Sequence, residues 1–388
     1  MPSHSDICPA FSLSAIIRGE VIYVNKENLR KIISLRHELH QYPEISGHES
    51  ATKRRLMTFI ENNTRLAVVD CGKWFYASRY VEGTKATAFR ADMDALPMNE
   101  SISIPHASLN PGASHKCGHD GHAAALCGLA LELDALPVKR SVYLIFQHSE
   151  ENGQGARECS ALLRERSISS IYAFHNWSGY PENSIVIREG VCQYASAGIT
   201  LTFEGRTSHA SEPEKGLNPA YAIARFISEI DGVKGSALCT VVNVNVGGKN
   251  FGISPGIGEI SITVRAERED EMRRAYNGII ALAEKSAAEN SLTLTKRVSD
   301  YFTDTSSDSE CVLRVGKAAK SLGLHVIDMA EPLRASEDFG IYTKMIPGAI
   351  FYIGNGESYP DIHTADYDFN DNILGTAVDM FAEIFRLS

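Results

Sequence analysis

The stretch KCGHDGH, Lys116 to His122, sets Cys117, His119, Asp120 and His122 within six residues at what reads as the mouth of a helix. A thiolate and an imidazole two residues apart can bind one cation or a close pair. The same residues also suit a buried cysteine beside a helix-capping histidine, with Asp120 as a first-turn acid and His122 facing solvent. A second concentration is Glu150–Glu151. Adjacent carboxylates after a strand point in different directions, so one can hold a metal while its neighbour handles a proton, the division a two-metal hydrolase needs. An isolated pair of this kind is also a common solvated acidic turn. His175 and His363 each follow an apolar run, and each alone reads as a hydrogen-bonded core or loop histidine. Together, Cys117, His119, Glu151, His175 and His363 are five ligand-competent groups, enough for two cations to share with room for water and substrate. Glu150 is left over as the base.

The elements that position them are apolar runs that end in polar clusters. A strand near Lys85–Arg90 leads to Asp92 and Asp94, and one at Ser141–Gln147 leads to Glu150 and Glu151. A strand ending at Phe174 leads to His175. A strand near Ala349–Ile353 opens a glycine-rich loop that reaches His363. Helical patterns such as ENLRKIISLRHELHQY and GHAAALCGLALELDAL lie between. Strands alternating with helices predict an α/β fold with a mainly parallel sheet, whose ligands gather beyond the carboxyl ends of the strands. The middle of the chain has another rhythm. From about Val191 to Tyr301 the order is βαββαβ, the ferredoxin-like pattern, with Asn218 as N-cap and Pro219 at the first position of one helix. The clusters lie on both sides of this stretch. Residues 191–301 therefore read as an α+β insertion into a catalytic domain of 1–190 and 302–388, with 1–25 as an extension.

Composition bounds the rest. A chain of 388 residues with 44% hydrophobic and 22% charged residues is ordinary for a globular protein of roughly two to three domains. A net charge of −10 argues against nucleic-acid binding. No apolar window reaches the roughly 18 residues of a membrane span, and the N-terminus does not read as a secretory signal. Eight cysteines, scattered without a CxxC pair, read as free thiols in a cytoplasmic protein. No GxGxxG follows the early strands, which argues against a nucleotide-binding oxidoreductase.

The ordered stretches RHELHQYPEISGHE, FRADMDALPMNE, HKCGHDGH, FQHSEENGQGA, FHNW, GRTSHASEPEKGLNP, SEDFG, IPGAIFYIGNG and DIHTADYDFND run from about Leu29 to Phe369. Through them the chain resembles the co-catalytic metallopeptidase and aminoacylase superfamily. It is most similar to the amidohydrolase branch of hippurate, auxin-conjugate and aminobenzoyl-glutamate hydrolases. The resemblance implies an enzyme that cleaves the amide bond of N-acyl amino acids or short dipeptides with two divalent metal ions, zinc or manganese, with cobalt or nickel able to substitute. It implies Cys117, His119, Glu151, His175 and His363 as metal ligands and Glu150 as general base. Asp94, with Asp120, would support the ligands. His209 of the insertion would stabilise the oxyanion, and the insertion would act as a lid and homodimer surface. Substrate-side candidates are Arg265 for a free carboxylate, Asn243 and Asn250 near Gly252, and Gly354 of the IGNG loop. Ser336, Glu337 and Asp338 would shape the pocket. The chain departs from the pattern at Lys116, His148, Gly252 and Ala365. Competing readings are a deacetylase of an N-acetylated diamino acid and a non-catalytic metal- or ligand-binding protein on the same scaffold.

Overall fold

The computed structural model describes residues 23–135 and 138–388, so nearly all of the expected 1–25 extension lies outside it. An eight-stranded sheet forms the larger layer. Its strands run in the order Ala67–Asp70, Phe75–Arg79, Ser141–Gln147, Ala86–Asp92, Ile168–Trp177, Gly348–Gly354, Ile185–Ile187, Val326–Asp328. The four central strands pair in parallel. Ala67–Asp70, Phe75–Arg79 and Ile185–Ile187 join antiparallel to their inner neighbours. The expected mainly parallel sheet is thus a mixed one, in which short strands extend a parallel centre on both sides. Every residue of Ala86–Asp92, Ser141–Gln147 and Gly348–Gly354 is buried. That is why these strands read as continuous apolar runs rather than alternating ones.

Helix His119–Ala135 lies against this sheet and is buried from His119 through Leu133. It is apolar all round because helices Lys26–Gln41, Ser50–Asn63 and Leu374–Leu387 enclose its outer side. One core fills this face around Leu126, Phe89, Phe351 and Phe381, and a second fills the opposite face around Ile145, Ile171, Phe339 and Tyr342.

A second sheet has four antiparallel strands in the order Leu238–Val246, Ile257–Ala266, Ala195–Glu204, Thr293–Phe302. Helices Pro219–Glu229 and Glu269–Glu289 pack on it over a separate core that includes Ile199, Phe203, Phe226, Ile262 and Ile279. The first strand in sequence lies between the third and fourth, and the second lies outside the third. This is the ferredoxin-like arrangement expected from the βαββαβ order. Asn218 accepts a hydrogen bond from the Ala220 N–H at 2.9 Å and Pro219 opens the helix, as the sequence suggested. The chain enters and leaves this sheet beside a two-strand ladder of Gly190–Gln193 and Thr305–Ser307. Among the described residues no helix is long and apolar enough to cross a membrane, and the seven described cysteines are all unpaired.

Candidate metal centre

The ligand candidates meet at the carboxyl ends of the central strands. Cys117 and His119 flank Gly118, whose φ of +98° is one L side chains rarely adopt. A Cβ on Gly118 would also lie 2.4 Å from Asn176 Oδ1. Only glycine lets the chain turn here with a thiol before it and an imidazole after it. Glu150 and Glu151 follow the Ser141–Gln147 strand through Ser149, itself at φ +50°. His175 sits inside the Ile168–Trp177 strand rather than after it. His363 has φ +64°, and its backbone N–H donates to the Lys116 carbonyl at 2.6 Å. The Lys116 ammonium, fully buried, donates to Glu100 at 2.7 Å and to the Tyr367 carbonyl at 2.6 Å. The unexpected lysine therefore ties the His363 loop to the Cys117 turn.

Cys117 Sγ lies 3.4 Å from His175 Nε2, and His363 Nε2 lies 3.5 Å from Glu151 Oε1. His119 Nε2 is 3.8 Å from Glu151 Oε1 and 4.0 Å from Glu150 Oε2. The donor atoms of Cys117, His119 and His175 all lie within 4.8 Å of one another, and so do those of Cys117, Glu151 and His363. Cys117 belongs to both sets.

Supporting contacts aim these donors. His119 Nδ1 faces the Asp94 carbonyl at 2.9 Å and its carboxylate at 3.2 Å, which leaves Nε2 for the cleft. His175 Nδ1 faces the Asn176 carbonyl at 2.7 Å and leaves its Nε2 free in the same way. Asp94 Oδ2 accepts from the Glu151 N–H at 3.1 Å and from Ser46 at 2.7 Å. Asp120 does not share this role. Its carboxylate turns away to His40 at 2.8 Å and Arg36 at 3.5 Å. Nor does His122 face solvent. It is buried between Asp92 and Asn176, at 2.7 Å from each. Sequence reasoning also passed over Arg90, which is buried and bonded to Asp92, Glu337 and Asp338 at 2.7–3.0 Å. Its one signal was a charge inside an otherwise apolar strand. The Asp338 N–H donates to Glu150 Oε1 at 3.2 Å, so this cluster braces Glu150.

His119 Nε2 and Glu151 Oε1 are buried with no hydrogen-bond partner among the described residues. Leaving a polar atom so costs roughly 1–3 kcal/mol. Facing sulfur, imidazole and carboxylate donors suit one or two dications of the zinc or manganese type, so the residues present fit such ions. Burial, with Glu337, Glu151 and Asp338 close by, raises the Glu150 carboxyl well above its usual range. Another cluster, His40 with Asp120 and Asp368, already holds a cation, because the Arg36 guanidinium stands 2.7 Å from Asp368.

Cys117, Glu150, Glu151, His175 and His363 line a cleft of about 540 Å³. Arg265 lines the opposite wall, its Nη1 donating to the Arg334 carbonyl at 3.0 Å and to Ser336 at 3.2 Å. Glu337 and Ser336 also reach the cleft, while Asp338 lies beneath it. The other substrate-side candidates are elsewhere. His209 is exposed and bonds Ser211 at 2.7 Å. Asn243 stands on the exposed edge strand, and Asn250 accepts from the Gly252 N–H at 3.0 Å. Gly354 is a packing glycine, since a Cβ there would lie 2.2 Å from the Pro181 carbonyl. None of these four lines the cleft.

Donors for two cations, with a spare carboxylate beside them at the strand ends of an α/β sheet, define a metal-dependent hydrolase. Residues 88–387 match the model of peptidase family M20/M25/M40, and the chain belongs to that family. It is a metal-dependent amidohydrolase acting on C–N bonds. N-acetyl-L-cysteine deacetylase of Bacillus subtilis is 30% identical over 355 residues, covering 88% of this chain and 85% of that protein. Hippurate hydrolase of Campylobacter jejuni is 27% identical over 363 residues, covering 90% and 94%. A dinuclear metal-binding peptidase of the M20 family from Bacillus subtilis superposes with a TM-score of 0.79 at 25% identity, covering 94% of this chain and 99% of that one.

Proposed function

We propose that the chain hydrolyses the amide bond of N-acyl amino acids or short dipeptides, with Glu150 as its proton-transferring base. Cys117, His119, Glu151, His175 and His363 would hold two divalent ions, zinc or manganese, and Cys117 belongs to both donor sets. Such ions, when bound, polarise a carbonyl and acidify a water. Glu150 takes a proton from the attacking water and returns it to the leaving nitrogen. Its burial and the neighbouring acids favour holding that proton between the two steps. Arg265 receives the substrate carboxylate, because its guanidinium is fixed by Ser336 and the Arg334 carbonyl and still borders the cleft.

Residues 191–301 act as a lid. His209 reaches a bound substrate only when the lid moves or when a second copy supplies it, since it stands exposed and away from the cleft. The edge strand Leu238–Val246, with Val242 60% exposed, offers a surface for a homodimer through the lid. The unpaired cysteines support a cytoplasmic home.

The observation that carries the reading is a pair of buried atoms without a hydrogen bond among the described residues, His119 Nε2 and Glu151 Oε1, which face each other at 3.8 Å beside Glu150. Metal analysis of the purified protein, alongside hydrolysis of a panel of N-acetyl and N-benzoyl amino acids, tests it. Two equivalents of metal and turnover on part of the panel are expected. Metal without turnover on any member would leave a binding protein on this scaffold.

A further inference from the structure

The cleft wall opposite the candidate metal centre is one face of the four-stranded sheet. Ser196, Gly198, Thr263, Arg265, Asp300 and Phe302 line it. Arg265 pairs with Ser196, and Thr263 with Gly198. On the other side of the same strand, Gly198 pairs with Ser299 and Ser196 with Phe302. Between those pairs, Asp300 and Tyr301 stand opposite Ala197 alone, so the strand carries a bulge. Regular alternation after Ser299 would send Asp300 to the far side. The extra residue lets Asp300 and Phe302 both reach the cleft, while Tyr301 turns away and donates to Glu269 at 2.8 Å. Asp300 has φ +50°, a region aspartate tolerates better than most residues.

The Asp300 carboxylate is exposed at the cleft and has no hydrogen bond or ion pair among the described residues. Gly198 leaves it uncovered, since a Cβ there would come within 3.7 Å of Asp300 Oδ2. Arg265 and Asp300 lie on strands separated by one other, about 10 Å apart across the sheet. This wall thus presents one fixed cation and one unpaired anion. Away from the metal-ligand candidates and Glu150, the cleft is lined by one further acid, Glu337, and by no cation besides Arg265, so a second substrate charge on this wall is favoured if positive.

We propose that Asp300 is a specificity-determining residue that selects amides whose amino-acid half carries a side-chain ammonium. The substrate class is then an N-acyl diamino acid. Arg265 takes the α-carboxylate, and Asp300 takes the ammonium a few methylene groups away. This rests on the amide-hydrolase reading above.

The test compares Nα-acetyl-lysine, Nα-acetyl-norleucine and Nα-acetyl-glutamate on the metal-loaded protein. The wild type is expected to prefer the lysine compound over the norleucine compound by about tenfold in kcat/KM, carried mainly by KM. Asp300→Asn, which also tolerates positive φ, brings that ratio near one. Asp300→Lys inverts the preference toward the glutamate compound, which a merely structural role would not do. A wild type without preference, or a ratio that survives both substitutions, overturns the role of Asp300. Failure of the wild type to cleave any of the three overturns the amide-hydrolase reading instead. Calorimetric binding of the same compounds to metal-loaded Glu150→Gln, with and without Asp300→Asn, then still decides Asp300, with the same ratios expected in Kd.

Discussion

At the residue scale, the candidate ligands and base depend on the side chains that aim and brace them. Glu150 is the sharpest case. Glu150→Gln keeps the shape and the Asp338 N–H contact but cannot accept a proton. Its kcat is expected to fall roughly 100-fold or more with metal content intact; unchanged turnover would move the base elsewhere. Arg90 is the sharpest supporting case. Arg90→Met leaves Asp92, Glu337 and Asp338 buried without their cation, and the expected loss is about 3–5 kcal/mol in denaturant unfolding. A loss below about 1 kcal/mol would mean that these acids protonate or find another partner. The five ligand candidates and Glu150 were legible because thiol, imidazole and carboxylate clusters recur at strand ends. The residues that brace them were not. His122 lies on a helix with no polar face, so nothing in its periodicity distinguishes burial from exposure. Asp120 was expected to support a ligand beside Asp94, but its carboxylate joins two helices through His40 and Arg36, a pairing local sequence does not reveal.

At the element scale, charges lock helices Lys26–Gln41 and His119–Ala135 together. His40, near the end of the first, meets Asp120 of the second at 2.8 Å and Glu100 at 3.1 Å. Burial opposes a charge on this imidazole, but the hydrogen bonds to the two carboxylates outweigh it and push its pKa up to about 9. Because the folded value exceeds the unfolded value near 6.5, the stability gained is fully present below pH 6.5 and is lost as pH rises through about 9. Glu100 sees the same pair from the acid side. Burial alone would raise its carboxyl, yet His40, Lys116 and the Ser108 N–H hold it down to about 2. Its contribution is present above pH 4.5 and is lost as pH falls through about 2. The wild-type thermal midpoint is therefore expected to decline between pH 6.5 and 9, and His40→Gln to flatten that decline while lowering stability at pH 6. Parallel curves for the two proteins across this window would remove His40 as the cause. None of this was readable beforehand, because the pairing depends on two helices about 80 residues apart in sequence packing side by side. The strands were more legible. Ser141–Gln147 came out at its expected bounds, and Asn218 caps its helix as expected. Strand direction was not legible. Ile185–Ile187 and Ala67–Asp70 are three and four residues long, and such short runs carry no sign of whether they pair parallel or antiparallel.

At the scale of the whole molecule, the candidate metal centre is a product of topology. Its candidate donors come from a turn before the central helix, two central strand ends and a loop near the C-terminus, and no two of the four segments are neighbours in sequence. Folding alone leaves His119 Nε2 and Glu151 Oε1 without a hydrogen bond among the described residues, a cost that bound ions would relieve. Metal should then act as a ligand of the folded state only, adding about 2.7 kcal/mol per ion at a free concentration 100-fold above its Kd. Chelation is expected to lower the thermal midpoint, and restored metal to raise it in a concentration-dependent way. Stoichiometry divides the two sets. His175→Ala breaks the Cys117–His119–His175 set and spares Cys117–Glu151–His363; His363→Ala does the reverse. Each variant is expected to retain close to one equivalent and part of the metal-dependent stabilisation, whereas Cys117→Ala, which enters both sets, loses most of both. The measurement is metal content by elemental analysis paired with the melting shift on metal addition. If Cys117→Ala held two ions with an unaltered melting shift, the thiol would not belong to the site, and the sharing of one sulfur between two cations would have to be abandoned.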